Sequence, residues 1–198
     1  MVALTKNFNN IIKVSIRQKQ VNFYKKATGN NVLTPERQYW TLSHIQNISP
    51  ESEINWLYNN GFLEKSQFVG VDNDEEKILI NKINHPEAKW VSGDILQAVW
   101  NYENFNPGIF YFDTISSIEN QQIIALTRKL MSPCPVENVF FANFVMRNYR
   151  RNIYYTENAL IKSLFNTNYL RSRWEFCGSC EYIGEKVPMK TFAFFRVK

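Results

Sequence analysis

The sequence of 198 residues lacks the features that mark several familiar classes of protein. It contains three cysteines, a small and odd number that argues against a disulfide framework of the secreted kind. It has no apolar run near the roughly 20 residues that a transmembrane helix needs. Its N-terminus lacks the basic-then-apolar pattern of a secretory signal. These absences predict a soluble, intracellular and cytoplasmic protein with no membrane partner.

What the chain has in quantity is apolar and aromatic residues. Hydrophobic residues make up 44% of the sequence and aromatic residues 15%, which argues against disorder. A chain of this length and composition can bury a substantial core. We therefore expect one domain over residues 1–198, in which a basic helical extension (residues 1–37) precedes the main fold (residues 38–198).

The net charge of +5 is spread unevenly. Residues 1–37 carry seven lysines and arginines against one acid, and residues 147–198 carry ten against four. Residues 38–146 carry six against thirteen, so an acidic middle lies between two basic ends. This distribution is compatible with a polyanion, such as nucleic acid, held at the rim of a site. Solvated surface charge on a small protein explains it equally well.

Residues 66–94 read as one strand–helix–strand unit. An apolar run, Phe68 to Val71, ends at Asp72, and a stretch of good helix formers follows. His85-Pro86 ends that helix, because the residue before proline is pushed out of the helical region. A second strand, residues 89–92, ends in Gly93-Asp94.

Strands and helices alternate along the rest of the chain. Further strands are predicted at residues 38–42, 109–112, 136–145, 173–183 and 187–197. Further helices are predicted at residues 1–30, 95–105, 117–131 and 152–166, and one more begins at Ser49-Pro50 and stops at Asn60-Gly61. Alternation of this kind indicates a parallel sheet with right-handed crossovers, and the last two strands form a hairpin around Gly184-Glu185-Lys186.

A carboxylate stands at the end of three successive predicted strands: Asp72, Asp94 and Asp113. The carboxyl ends of parallel strands line the ligand crevice in open α/β sheets. An isolated aspartate at such a place is usually a turn or cap residue. Three of them at successive strand ends favour a binding site.

Five β/α units that end in a hairpin resemble the class I S-adenosylmethionine-dependent methyltransferase fold over residues 38–198. The resemblance implies a doubly wound α/β architecture, with a mostly parallel seven-stranded sheet and a C-terminal antiparallel hairpin. It implies S-adenosylmethionine as cofactor, with Asp72 on the ribose hydroxyls and Gly93-Asp94 at the adenine. It places Asp113 and Thr114 beside the methyl group and the acceptor.

Two stretches depart from the pattern of that family. The loop after its first strand is normally glycine-rich, so that the backbone can approach the methionine part of the cofactor. Here residues 43–47 contain no glycine, and we expect Ser43, His44 and Asn47 to provide side-chain contacts instead, unless the site has changed or lost its ligand. The run Asp113 to Ser116 also lacks the Asp/Asn-Pro-Pro-aromatic motif of amino-directed nucleic-acid methyltransferases.

Other polar residues carry open alternatives. His44 either acts as a base or cofactor contact, or satisfies loop backbone. The cluster Arg147, Arg150 and Arg151 either binds a substrate phosphate, with neighbouring tyrosines stacking on bases, or packs at a helix start. In the N-terminal helix, Arg17, Lys19, Lys25 and Lys26 either contact phosphate or lie on a packing helix.

The pair Cys177 and Cys180 forms a lone CxxC motif. A zinc site usually needs a second pair of ligands, and a redox CxxC opens a helix, whereas this one falls in the terminal hairpin. We expect thiols without chemistry and no bound metal.

Two hypotheses follow. In the first, the chain is an S-adenosylmethionine-binding methyltransferase with Asp113 and His44 as catalytic candidates and nucleic acid as one candidate acceptor. In the second, the chain is a catalytically inactive methyltransferase fold that binds nucleic acid or protein.

Overall fold

The structure is a computed structural model that describes residues 11–42, 52–117, 119–146, 153–183 and 188–198. Within these ranges, seven strands form one sheet: β1 (Gln38–Leu42), β2 (Phe68–Asp72), β3 (Lys89–Ser92), β4 (Pro107–Ser117), β5 (Val139–Val145), β6 (Trp174–Ile183) and β7 (Pro188–Arg196). Their order in the sheet is β3-β2-β1-β4-β5-β7-β6.

The first five strands are parallel, and β7 runs antiparallel between β5 and β6. The chain therefore crosses from β3 at one edge to β4 beside β1, which is the point where the direction of winding reverses. This arrangement confirms the predicted mostly parallel sheet with a C-terminal antiparallel hairpin.

The described helices lie between these strands. They are α1 (Ile11–Thr28), α2 (Glu53–Asn59), α3 (Glu75–Asn84), α4 (Ile95–Asn101), α5 (Gln121–Met131), α6 (Ile153–Leu164) and α7 (Asn168–Arg171). No described helix is both long enough and apolar enough to cross a membrane.

Three predicted helix boundaries differ from the structure. The second helix begins at Glu53 rather than at Pro50, because the Ser52 hydroxyl accepts a hydrogen bond from the Asn55 N–H and forms the N-cap. The fifth helix starts at Gln121 rather than at residue 117, because β4 runs on to Ser117 and Asn120 then caps the helix. The fourth ends at Asn101, because the next residue is extended.

Both faces of the sheet are covered, as the alternation of side chains along β4 shows. Phe110 and Phe112 point into a cluster that includes residues of α4, α5 and α6. Ile109 and Tyr111 point into a second cluster, with residues of α1, α2 and α3. Strands buried on both sides read as nearly continuous apolar runs, which explains why β4 and β5 lack a polar alternation.

The N-terminal helix α1 lies across β5, β7 and β6 on the second of these faces. Val21 and Tyr24 are buried there, and the Tyr24 ring packs edge-on against Phe62 with 5.5 Å between ring centroids. Burial of such side chains contributes roughly 1.5–3 kcal/mol each, so α1 is anchored to the sheet by packing. The helix α1 therefore packs against the sheet, which was one of the two alternatives for it. The N-terminal end of α1 lies near the carboxyl ends of the strands.

One glycine leaves room for an aromatic side chain on the neighbouring strand. Gly70 lies beneath the indole of Trp90, and any Cβ at this position would overlap that ring. The Trp90 indole N–H donates to the His85 carbonyl at 2.9 Å, which holds the ring in place. Parallel pairing of β2 with β3 then brings Asp72 and Ser92 side by side at the ends of the two strands.

Candidate functional site

An open cleft of about 390 Å³ lies at the carboxyl ends of β1 to β4. We call it the carboxylate cleft. Residues of four neighbouring strands and the turns after them line it: Leu42, Val71, Asp72, Gly93, Asp94 and Asp113. Asp113 lies within β4, because this strand runs on to Ser117 instead of ending at residue 112 as predicted. The three aspartates predicted from the sequence to share one site are therefore brought together, at the position where the winding of the sheet reverses.

Asp72 ends β2 and has a side chain only 12% exposed. Its Oδ1 accepts the Asp74 backbone N–H at 2.9 Å, and its Oδ2 lies 3.5 Å from Lys77 Nζ. An ionised carboxylate offers about four acceptor positions, so these contacts leave capacity for hydroxyl donors. The partly exposed ion pair with Lys77 is weak and contributes at most about 1 kcal/mol.

Gly93 and Asp94 form the turn between β3 and α4. Gly93 has φ of +130°, a conformation that L residues with a Cβ rarely adopt, and its N–H donates to the Asp72 carbonyl at 2.9 Å. Asp94 caps α4, since its Oδ1 accepts the Leu96 N–H at 2.8 Å and the Gln97 N–H at 3.3 Å. The cap holds the exposed carboxylate at the rim of the cleft.

Asp113 is held by a buried amide on the neighbouring strand. The fully buried Asn143 pairs with it across β4 and β5, and Asn143 Nδ2 donates to Asp113 Oδ1 at 2.6 Å. The same Nδ2 lies 2.6 Å from the Tyr182 hydroxyl, while Asn143 Oδ1 accepts the Thr191 hydroxyl at 3.1 Å. Because Thr191 donates to the oxygen, the amide hydrogens face Asp113 and Tyr182, and this orients the carboxylate.

A second, smaller cavity beneath α1 also reaches Asp113. We call it the polar pocket. It has a volume of about 30 Å³, and its lining includes Lys13, Arg17, Glu53, Tyr111, Asp113 and Tyr182. Arg17 and Glu53 are both buried. Asp113 lines this pocket as well as the carboxylate cleft, so the two cavities meet at its carboxylate.

Hydrogen bonds position the acidic wall of the polar pocket. Glu53 Oε1 accepts the Tyr39 hydroxyl at 2.6 Å, and Oε2 accepts the Thr41 hydroxyl at 3.2 Å. Burial raises the pKa of Tyr39 and Tyr111 well above the usual value, and the nearby carboxylates raise it further. Burial and the Asp113 charge likewise raise the pKa of Tyr182. These tyrosines therefore stay protonated and act as neutral hydroxyl groups.

Several predicted site residues do not reach the cleft or cannot be placed. Thr114 is buried, and its hydroxyl accepts the Ser116 N–H at 3.0 Å in a local turn rather than lining either cavity. Its predicted role in substrate binding stays a prediction. Six other predicted residues lie outside the described ranges: Ser43, His44, Asn47, Arg147, Arg150 and Arg151.

Sequence reasoning missed most of the polar pocket. Asn143 is the one polar residue within the apolar run FFANFV, and a buried amide in such a run was the available signal. Glu53 lies near the predicted start of a helix, where acidic residues are common, so nothing in the sequence indicated that it is buried. Tyr111 and Tyr182 carried no signal, because their positions beside Asp113 depend on the pairing of distant strands.

The cysteine pair lies in β6, as predicted. Burial raises the pKa of both Cys177 and Cys180, so both are protonated thiols at neutral pH. Among the described residues, no group of three or more His, Cys, Asp or Glu side chains is placed to hold a metal ion.

The fold matches solved structures at very low sequence identity. Trm5b from Pyrococcus abyssi is similar at a TM-score of 0.61 and 7% identity, with 93% of this chain and 48% of that chain covered. SMU.776, described as a candidate methyltransferase and solved in complex with SAH, has a TM-score of 0.58 and 10% identity over 93% and 49%. A precorrin-6y C5,15-methyltransferase from Geobacter metallireducens has a TM-score of 0.53 and 10% identity over 98% and 92%.

These matches concern the fold alone. The chain spans about half the length of Trm5b and SMU.776. No protein-family model and no curated protein sequence matches the chain. The strand order, the antiparallel hairpin and these neighbours together show that the chain has the class I methyltransferase fold.

Proposed function

We propose that this chain is an S-adenosylmethionine-dependent methyltransferase that acts on nucleic acid. The observation that carries the proposal is the meeting of two cavities at Asp113: an open cleft that three aspartates line, and a polar pocket beneath α1. Methyl transfer needs a donor and an acceptor aligned on one carbon, and two cavities that share one residue are compatible with that arrangement.

The residues of the carboxylate cleft fit the cofactor in chemical terms. Asp72 would accept hydrogen bonds from both ribose hydroxyls, which suits a carboxylate that retains acceptor capacity. Asp94 would hold the adenine amino group at the rim, and Gly93 leaves room for the close approach of a ring. Ser43, His44 and Asn47 would contact the methionine part. The similarity to SMU.776, which was solved with SAH, supports S-adenosylmethionine as the cofactor but concerns no individual residue.

A nucleic-acid acceptor is supported by the distribution of charge. Both ends of the chain are basic, and Lys19 and Lys26 are exposed on α1. Arg147, Arg150 and Arg151 would add phosphate contacts. Backbone contacts of this kind supply most of the affinity of proteins for nucleic acid.

A second candidate function is a catalytically inactive fold that serves as a binding module. Two observations favour it: residues 43–47 contain no glycine, and Lys77 pairs with the ribose-binding candidate Asp72. An inactive module would retain nucleic-acid or protein binding without cofactor binding.

Calorimetric titration with S-adenosylmethionine and S-adenosylhomocysteine separates the two functions. The methyltransferase proposal predicts saturable one-site binding of both compounds. A folded sample that releases no heat with either compound, but binds a mixed-sequence oligonucleotide with a steep dependence on salt, would favour the binding module.

A further inference from the structure

We infer that the polar pocket is the acceptor site and that it takes a single hydroxyl group, which in a nucleic acid is the ribose 2′-hydroxyl of RNA. This inference rests on the proposed function and narrows its acceptor from nucleic acid in general to one functional group. Four observations carry it: the position of the pocket, its size, its charges and its hydrogen-bonding groups.

The position of the pocket gives the direction of approach. The carboxylate cleft and the polar pocket both reach Asp113, and the first turns of α1 roof the pocket through Lys13 and Arg17. An acceptor seated in the polar pocket would therefore lie next to a methyl group held beside Asp113 in the cleft. Methyl transfer depends on such close alignment of acceptor and donor.

The size of the pocket limits what can enter. A volume of about 30 Å³ has room for about two water molecules. A hydroxyl with the carbon that bears it fits this space, whereas a nucleobase ring is several times larger. The acceptor therefore protrudes from a larger molecule that stays outside the pocket.

The charges in the pocket favour a neutral acceptor. Lys13 and Arg17 bring two positive charges to its α1 wall, and Glu53 and Asp113 bring two negative charges, so the four charges balance formally. A neutral hydroxyl enters without upsetting this balance, and the cations would stabilise the negative charge that develops on its oxygen as it reacts. Tyr111 and Tyr182, neutral because of their raised pKa values, can hydrogen-bond the same oxygen.

The methyl transfer can be written so that every bond, electron pair and proton is accounted for. The hydroxyl oxygen forms a bond to the methyl carbon while the bond from that carbon to sulfur breaks, and its electron pair remains on sulfur. The hydroxyl proton passes to the Asp113 carboxylate, which Asn143 holds in position. The products are the methyl ether, S-adenosylhomocysteine and the proton on Asp113.

RNA is the nucleic acid that carries such a group. A 2′-hydroxyl protrudes from the ribose of every RNA residue, and its presence is what lets a protein distinguish RNA from DNA. Lys19 and Lys26 are exposed on α1, the helix that roofs the pocket, and would contact phosphates along the RNA outside the pocket.

The test uses the full chain, methyl-labelled S-adenosylmethionine, and mixed-sequence RNA and DNA oligonucleotides of identical sequence. After digestion to nucleosides, mass spectrometry identifies the labelled product. We expect ribose-methylated nucleosides from RNA and no label in DNA. Base-methylated nucleosides, label in DNA, or no transfer to RNA by a chain that binds the cofactor would each overturn the inference. Failure of the cofactor to bind in calorimetry would instead overturn the proposed function.

Variants of the pocket tyrosines provide a second readout. Tyr111→Phe and Tyr182→Phe each remove one pocket hydroxyl without changing the ring, and we expect about a tenfold loss of RNA methylation. Tyr169→Phe is the matched control, because Tyr169 is exposed on α7. Cofactor affinity should stay within twofold in all three, since none of these residues lines the carboxylate cleft. Equal methylation by pocket and control variants would overturn the assignment.

Discussion

The two cavities that meet at Asp113 are assembled in different ways. Most of the carboxylate cleft is built from strand ends and the turns that follow them, so Asp72 and Asp94 also have local structural roles. The polar pocket is built from side chains on α1, α2, β4 and β6, which are distant in sequence and converge only in the folded protein. We therefore expect binding of the methyl donor to depend on the local geometry of turns and strand ends. Binding of the methyl acceptor should depend on the position of α1 against the sheet.

The largest expected effect falls on the residue that the cavities share. Asp113→Asn removes the proton acceptor but keeps the side-chain volume, and we expect RNA methylation to fall by about 10²- to 10⁴-fold. Cofactor affinity measured by calorimetry should change little, because Asp72 and Asp94 hold the adenosine part. A variant with undiminished methylation would show that Asp113 is not the base.

The next effect is confined to the carboxylate cleft. Asp72→Asn replaces a charge-assisted acceptor with a neutral one, and the loss of about 1.5–3 kcal/mol should weaken cofactor binding roughly tenfold to a hundredfold. Glu76→Gln is the matched control, because it removes the same charge from an exposed position nearby, in the helix α3 that follows β2. If calorimetry gives equal affinities for the two variants, the ribose assignment is wrong.

A smaller effect tests the link between the cavities. Asn143→Leu removes the amide that donates to Asp113, so the pKa of the Asp113 carboxyl should rise and RNA methylation should fall. NMR titration of the carbon-13-labelled carboxyl measures this pKa directly. Thr191→Val is the control, since it removes only the hydroxyl on the far side of the amide. An Asp113 pKa that is equal in both variants would contradict a positioning role for Asn143.

A modest effect on stability comes from the buried tyrosines. Because folding raises the pKa of Tyr39 and Tyr111, the unfolded chain loses these protons first as pH rises. The stabilisation is fully present below about pH 10, the ordinary tyrosine pKa, and is lost progressively as pH rises toward the folded values. Urea unfolding should give a lower free energy of unfolding at pH 11 than at pH 8.5, and the decrease should be smaller in Tyr111→Phe. An equal decrease in the parent and in the variant would show that Tyr111 does not contribute to this pH dependence.

The smallest effect concerns the thiols. Cys134 is buried and its pKa is strongly raised. Cys177 is exposed, and its pKa is raised less. Iodoacetamide should therefore label Cys177 in the folded protein and leave Cys134 unlabelled, with the site of labelling read by mass spectrometry. Labelling of Cys134 at the same rate would show that the region around β5 and α5 opens readily.

The sequence was sufficient for features that depend on local physics. Strand periodicity, caps and breakers placed the sheet, and Asp72, Asp94 and Asp113 were recognised because each follows an apolar strand. The N-cap of α2 was misplaced by three residues, since both Ser49 and Ser52 have a hydroxyl suited to capping and only the fold selects between them. Glu53, Asn143 and Tyr182 could not be brought together from sequence, because their contacts span strands and helices far apart in the chain.

The most direct test of the two-cavity account is a crystal structure of the chain with S-adenosylhomocysteine. We expect the ribose hydroxyls within about 2.6–3.2 Å of the Asp72 carboxylate and the adenine at Asp94. We expect the sulfur to lie beside Asp113, facing the polar pocket. A ligand bound outside the carboxylate cleft, or a sulfur directed away from Asp113, would contradict the account.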